Sequence, residues 1–378
     1  MLCNREVIQF FELLQVAVGR RDSLSHPPSV NDWRLLYGMS VKQALVGVCY
    51  VGVERLPREM LADLPLDLKM QWFAMAERIK RHNIQVTSRV CELQRLLEAD
   101  GWKVSVLKGQ GIAEYYRFKC GEEESKDEAS GTLKSAPFKL YRQSGDIDVW
   151  VDGRRDDIIH YMKAHYSCGT AVIHHIDVEV FGDVPVEVHF VPSYAYSWPR
   201  YRAYKHFFKE HKSEGFVPSG AGFCVPSVRF NLVYLLMHIF RHVFHEGVGL
   251  RQLMDYYFVL SAQDGDSGIG STLKVLGLSR FAAAVMYVER QVFGLPKDLM
   301  ICEPDEKAGR FLLEEIMRAG NFGQHDSRVR KAHSGNLVKL YVHNVCRLTG
   351  MIRQYPSEVL WAPFWKVGHY LWRKVKGY

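Results

Sequence analysis

Between Arg5 and about Asp100, apolar residues recur at intervals of three and four: Phe10, Leu13, Leu14 and Val16 early, Val90, Leu93, Leu96 and Leu97 late. That period puts them on one stripe of an α-helix, so the first hundred residues are expected to be helical throughout. Asn31-Asp32-Trp33 reads as a helix start with Asn31 or Asp32 as cap, and the Leu56-Pro57 and Leu64-Pro65 steps break the pattern. After Gly101 the period shortens. Lys103-Val104-Ser105-Val106-Leu107 predicts a short strand and Lys108-Gly109 a turn, after which Ile112, Ala113, Tyr115 and Tyr116 return to helical spacing. Gly121 to Ser135 carries charge and small residues without apolar periodicity, which predicts a mobile charged loop over 119–137. Asp146-Ile147-Asp148-Val149-Trp150-Val151 alternates, with both aspartates on one face of a strand. A helix is expected from Arg155 to His165. The alternating runs Ala171–Phe181 and Val184–Phe190 flank Gly182-Asp183 and predict an antiparallel hairpin in which Glu187 and His189 share a face. From Ser227 the spacing is helical again, with Leu232, Leu235, Leu236, Ile239 and Phe240 as a buried stripe and Gly247 or Gly249 as a break.

The resulting order is a helical region over 1–100, an α/β core over 101–195 that contains the charged loop, and a second helical region over 196–378. An α+β fold is the class this order predicts. No internal repeat interrupts it.

Composition narrows the function classes. The 378 residues are 47% hydrophobic and 24% charged, the balance of a folded globular protein and not of a disordered or fibrous one. A net charge of +7 is spread along the chain, which suits a phosphate-bearing ligand but forms no basic block, so nucleic acid is not a favoured partner. Eight cysteines lie far apart with no C-x-x-C pair, as expected of reduced thiols. The apolar stretch Val7–Val18 is interrupted by Glu12 and Gln15, and Arg20-Arg21 follows it instead of preceding it. It fits neither a signal peptide nor a transmembrane segment, and a cytoplasmic location is the expectation.

The candidate chemistry centres on Asp146 and Asp148. Two carboxylates at i and i+2 on one strand face lie a few ångströms apart, a costly arrangement unless a cation such as Mg²⁺ sits between them. Ser144 and Gly145 ahead of the pair are small enough to let phosphates approach the backbone, and Arg142 offers charge-assisted hydrogen bonds to them. A third carboxylate would complete a two-metal site. Glu187 is best placed by alternation, with Asp177 or Glu179 as substitutes. D-x-D by itself also occurs in glycosyltransferases, calcium sites and exposed strands. His189 either orients Glu187, touches substrate or sits in the core. His238 and His242, one helical turn apart, admit a zinc site with His245, but packing against the active site is the simpler role. Arg251 and Asp255 at i,i+4 are expected to form a helix-surface or interdomain ion pair, with Arg251 alternatively reaching a phosphate. The C-terminal Trp361, Phe364, Trp365, Tyr370 and Trp372, interleaved with Lys366, Arg373, Lys374 and Lys376, read as a helix docked on the protein's own core rather than on a membrane.

Val106-Leu107-Lys108-Gly109-Gln110-Gly111-Ile112-Ala113, then Arg142-Gln143-Ser144-Gly145-Asp146-Ile147-Asp148-Val149-Trp150-Val151, then Val186-Glu187-Val188-His189-Phe190 resemble, in that order, the bacterial nucleotidyltransferase-like family of the DNA polymerase β-type superfamily. Leu236-Met237-His238 through His242, and Leu250 to Asp255, are similar to its helical part. The chain carries Lys108-Gly109 where that superfamily usually has Gly-Ser or Gly-Gly. The resemblance implies a minimal mixed β-sheet with flanking helices, two Mg²⁺ ions on Asp146, Asp148 and Glu187, and transfer of a nucleoside monophosphate from ATP or another NTP to a hydroxyl of an unidentified acceptor. It places Lys108 and Gly109 on the phosphates at a helix N-terminus, with Arg142, Ser144 and Gly145 nearby. Two other readings stand beside it: a catalytically silent nucleotide- or partner-binding protein of the same fold, and a D-x-D metal-dependent glycosyltransferase.

Overall fold

The computed structural model describes residues 2, 4–116, 137–265, 268–325 and 350–376. The charged segment predicted at 119–137 lies outside the described residues except for Pro137.

The N-terminal apolar stripes form α1 (Arg5–Ala17), α2 (Val30–Lys42), α3 (Val46–Arg55) and α4 (Leu66–Ala99). Ser29 caps α2 in place of Asn31 or Asp32: its hydroxyl accepts from the Asp32 amide while the Asp32 carboxylate accepts the Ser29 amide at 3.0 Å. α4 is the spine of the fold. Its buried residues Leu68, Trp72, Ala76, Ile79, Asn83, Val86, Val90, Leu93 and Leu97 keep steps of three and four along about 50 Å of helix. Leu68 to Ile79 belong to a helical core, and Val86 to Leu97 to a second core beneath the sheet.

The sheet comprises β1 (Lys103–Val106), β2 (Ile147–Asp152), β3 (Ser167–Cys168), β4 (His175–Glu179) and β5 (Val186–His189) in the order β1-β2-β5-β4-β3. Only the β2–β5 pair is parallel. A one-turn helix α5 (Gln110–Ala113) follows β1, and α6 (Arg155–His165) follows β2. This is the α+β class that the residue pattern predicts, with the mixed sheet and flanking helices that the resemblance implies, here five-stranded.

Alternation gives the sheet two unlike faces. Val104, Ile147, Val149, Ile176, Val186 and Val188 pack on α4 and α6. The opposite face carries Asp148, Glu187, Asp177, His189 and His175, a charged surface that needs polar cover. That cover comes from the C-terminal part of the chain: α7 (Trp198–Glu210), the short β6–β7 ladder (Val217–Pro218, Cys224–Val225), α8 (Val228–His245), α9 (Leu250–Ala262), α10 (Gly270–Val275), α11 (Ser279–Phe293) and α12 (Glu306–Ala319). Trp150, on the charged face, stacks on Phe230 of α8 at 5.8 Å and locks the helix over the sheet. α1 packs against α11, so the two ends of the chain share one core.

The final helix α13 (Pro356–Lys376) docks through Ala362 and through Trp365, whose ring stacks on Tyr194 at 4.9 Å, as the sequence pattern suggests. Its Phe364, Val367 and Leu371 face outward. Among the described residues, no helix is long and apolar enough to cross a membrane. Cys49, Cys91, Cys168, Cys224 and Cys302 are free thiols.

Glu289 of α11 is fully buried with neither carboxyl oxygen hydrogen-bonded, and burial raises its pKa well above the ordinary value. The unfolded chain ionises this group first, so it erodes stability as pH climbs past about 4.5. Glu289→Gln should therefore raise the melting temperature over wild type at pH 8 and show a smaller gain at pH 5. A pH-independent difference in thermal melts would contradict this.

Candidate active site

Backbone geometry starts the site. Gly109 takes φ +58°, ψ −114°, a conformation that L side chains rarely adopt, and a Cβ on Gly111 would lie 2.3 Å from the Val106 carbonyl oxygen. Two glycines thus let the chain turn sharply off β1 and send Lys108 across to β2, its Nζ 2.6 Å from Asp148 Oδ1. α4 holds the other approach. The buried Asn83 amide donates to the carbonyls of Leu140 and Arg142, the Gln110 amide donates to the Asn83 carbonyl at 3.0 Å, and the Ser144 hydroxyl reaches Gln110 Oε1 at 2.9 Å. This network fixes the lead-in to Asp146 against both α4 and α5.

Parallel pairing of β2 with β5 sets Asp148 directly beside Glu187, and antiparallel pairing of β5 with β4 sets Glu187 beside Asp177. His189 Nε2 lies 2.9 Å from Asp148 Oδ1 and 3.3 Å from Glu187 Oε2. Burial disfavours a charge on His189, but these two carboxylates outweigh it and raise the imidazole above its ordinary pKa. Burial likewise opposes ionisation of Asp148, yet Lys108 and His189 hold it below the usual carboxylate range. Glu187 is held far below that range, with burial overcome by the His189 hydrogen bond, Lys108 and His175. Asp146, exposed at the entry to β2, is pushed up to about 6, first by the charge of Asp148 and then by desolvation. The site thus concentrates more negative charge than its own cations compensate. Donor atoms of Asp148, Glu187 and His189 lie within 4.8 Å of one another, and hard carboxylate oxygens on one face suit a divalent cation.

Asp146, Asp148, Glu187 and His175 line a cavity of about 660 Å³ that is bordered across from the sheet by residues of α8 and α9. Lys108, Gly109, Arg142, Gly145, Asp146, Asp148 and Glu187 all border it, while Ser144 is taken up by the Asn83–Gln110 network. Two helical residues missed by the residue pattern add to its wall, Arg241 on α8 and Trp365 on α13. Arg241 donates to His174 Nε2 at 2.8 Å and His242 Nε2 at 2.9 Å. Both imidazoles accept, which agrees with burial driving His174 well below its ordinary pKa and His242 down to about 4. The remaining nitrogen of His242 faces Glu246 at 2.6 Å. His242 is therefore committed to hydrogen bonds, and metal-binding groups among the described residues gather on the sheet instead of at His238, His242 and His245. His238 and His242 pack together, ring centroids 4.2 Å apart, in the packing role expected of them. Of the sheet cluster, the residue pattern anticipates Asp148, Glu187, His189 and Asp177 and misses the adjacent His174 and His175.

The helix-surface pair expected between Arg251 and Asp255 does not form. Asp255 instead accepts two hydrogen bonds from the buried Arg142, each at 2.7 Å, and one from Tyr116 at 2.7 Å. Arg251 donates to the Gln143 carbonyl at 2.8 Å and borders the cavity. A bidentate guanidinium–carboxylate fork outcompetes a flexible i,i+4 contact. Arg142 is consequently occupied, and it joins the start of β2 to α9. Removing one member of a buried pair strands the other charge, at about 3–5 kcal/mol. Asp255→Ala should lose that much in urea unfolding; a loss below about 1 kcal/mol, the value of an exposed pair, would show that the fork is not structural.

Residues 137–294 match the model of a family described as an uncharacterised nucleotidyltransferase. No curated protein and no solved structure matches the chain. The matched span contains Asp146, Asp148, Glu187 and helices α8 and α9, and it leaves out Lys108, Gly109 and α13. It supports nucleotidyl transfer as the general activity.

Proposed function

We propose that the protein transfers a nucleoside monophosphate from an NTP to a hydroxyl group of an acceptor, with Mg²⁺ held by Asp146, Asp148 and Glu187. The observation that carries this reading is the parallel register that sets Glu187 beside Asp148 on the cavity face, with Asp146 raised by its neighbour's charge. A catalytically silent relative would have no need to keep three carboxylates converging at that cost. Asp146, Asp148 and Glu187 would hold the divalent cations, which would supply charge neutralisation for the triphosphate and for displacement at the α-phosphorus.

The chain's own residues bind and orient. Lys108 supplies a cation on the sheet side and Arg251 one on the helical side, and both serve as phosphate contacts. Gly109, without a side chain, lets phosphate oxygens approach the backbone. Arg142, paired with Asp255, positions the turn through Ser144 and Gly145 instead of gripping phosphate itself. Glu187, kept ionised by His189 and His175, is suited to hold a cation and unsuited to take up a proton, so we assign it as a ligand and not as the general base. In the reaction the acceptor's O–H bond breaks, its oxygen bonds to the α-phosphorus as the bond to the bridging oxygen breaks, and pyrophosphate leaves carrying the proton.

Isothermal titration of the four NTPs with Mg²⁺ tests the reading without knowledge of the acceptor. At least one NTP should bind in a Mg²⁺-dependent manner, and Asp146→Asn/Asp148→Asn should abolish binding. Failure of every NTP to bind wild type would overturn the proposal and favour a silent fold, or a sugar transferase if a nucleotide-sugar binds instead.

A further inference from the structure

The helix α13 has two sides of unlike chemistry. Its inner side makes the core docking that the residue pattern predicts: Ala362 is buried, the Trp365 ring stacks on Tyr194, and the buried Glu358 carboxylate accepts from the Tyr196 amide and pairs with Arg200. Trp365 and His369 also border the cavity. The outer side repeats apolar residues at steps of four and three, Leu360, Phe364, Val367, Leu371 and Val375, which places them on one stripe about 22 Å long. Each is between 55% and 86% exposed. Trp361 and Tyr370, also exposed, lie about a quarter turn from the centre of the stripe, one on each edge. Isolated apolar residues on a surface call for no explanation, but a continuous stripe marks an interaction surface.

Charge decides what this stripe meets. After Glu358 the chain carries no acidic residue, while α13 adds Lys366, Arg373, Lys374 and Lys376. Pairing two such helices along the stripe would gather basic residues without acidic partners, which opposes a second copy of the chain as the occupant. An anionic lipid surface takes the apolar stripe at its acyl boundary and attracts the basic residues, gaining about fivefold in affinity for each one held at the surface. The indole and phenol rings at the edges of the stripe suit the headgroup level, where an apolar body and a polar tip are both satisfied. Such a helix lies on a bilayer without spanning it, and among the described residues no helix is long and apolar enough to cross one.

We propose that the outer face of α13 is a membrane-docking surface that lies in the interface of a bilayer containing anionic phospholipid, with Phe364, Val367 and Leu371 inserted and the basic residues of its last turns supplying the attraction. The helix then rests on the protein with one side and on lipid with the other, and the cavity wall that Trp365 and His369 form is held beside the bilayer. The inference does not depend on nucleotidyl transfer, because the stripe and its charge belong to α13 alone.

Co-sedimentation of the full chain with vesicles tests it, using phosphatidylcholine alone and an equal mixture of phosphatidylcholine and phosphatidylglycerol. Wild type should bind the mixed vesicles at least about tenfold more tightly than phosphatidylcholine alone. Phe364→Ser/Leu371→Ser and Lys374→Gln/Lys376→Gln should each weaken binding to the mixed vesicles by about tenfold or more, with wild-type thermal melting confirming their fold. Undiminished binding by the Phe364/Leu371 variant would overturn the proposal, and equal binding of wild type to both vesicle types would overturn the choice of an anionic surface. Failure of wild type to bind the mixed vesicles would also overturn it and leave residues 326–349 or a second copy as cover for the stripe. Sedimentation velocity without lipid would identify the second copy by a dimer that the Phe364/Leu371 variant loses. Nucleotide binding is read without lipid, so failure of either proposal leaves the other standing.

Discussion

Strand pairing fixes the hardest electrostatic problem in this molecule. Once β2 runs parallel to β5 and β5 antiparallel to β4, Asp148, Glu187 and Asp177 must stand in a row, and no rotamer choice takes them out of one another's field. Carboxylates so placed repel strongly in a partly desolvated setting, and the charge of Asp148 with burial pushes the pKa of nearby Asp146 up to about 6. The fold answers with cations from separate elements: Lys108 from the turn after β1, His189 from β5 itself, and Arg251 from α9. The compensation remains partial, and the cavity keeps an excess of negative charge on its sheet side.

Most of the surrounding architecture holds those cations in place. Lys108 reaches Asp148 because Gly109 and Gly111 let the chain turn within a few residues of β1. Asn83, in the middle of a helix otherwise buried by apolar residues, spends its amide on the carbonyls before Asp146. A buried amide is expensive unless satisfied, so its partners on the Leu140–Arg142 segment are also its energetic justification. Arg142 and Asp255 then connect the same segment to α9, which carries Arg251. The sheet, the spine helix and the helical roof meet at this one turn.

The sequence made much of this legible, and the parts it hid share a cause. Period-two alternation exposed the faces of β2 and β5, and period 3.6 exposed the helices, because both are local properties of the chain. The α+β class and the hairpin follow from them. The strand order does not, since the insertion of β5 between β2 and β4 is a long-range pairing. Arg142 and Asp255 are 113 residues apart, and nothing near either one announces the partnership that displaces the expected Arg251–Asp255 contact. Ser29 was passed over as a cap in favour of Asn31 and Asp32 because the helix starts one turn earlier than the apolar stripe does. His174 and Arg241 were hidden for the same reason as Arg142, since their meaning depends on an approach of α8 to the sheet.

That approach also bears on what the cavity accepts. Its sheet side is negative and suited to cations with a triphosphate, while its roof combines guanidinium groups with neutral imidazoles and the aromatic edge of α13. Arg241 is held by two imidazoles that accept its protons without cancelling its charge, so the positive field survives at the wall instead of being quenched in an ion pair. A carboxylate partner would have stabilised Arg241 more and left less field for a ligand. The imidazole clamp is therefore an arrangement that holds a guanidinium rigidly at the cavity wall while leaving its charge uncancelled by a carboxylate hydrogen-bonded to it.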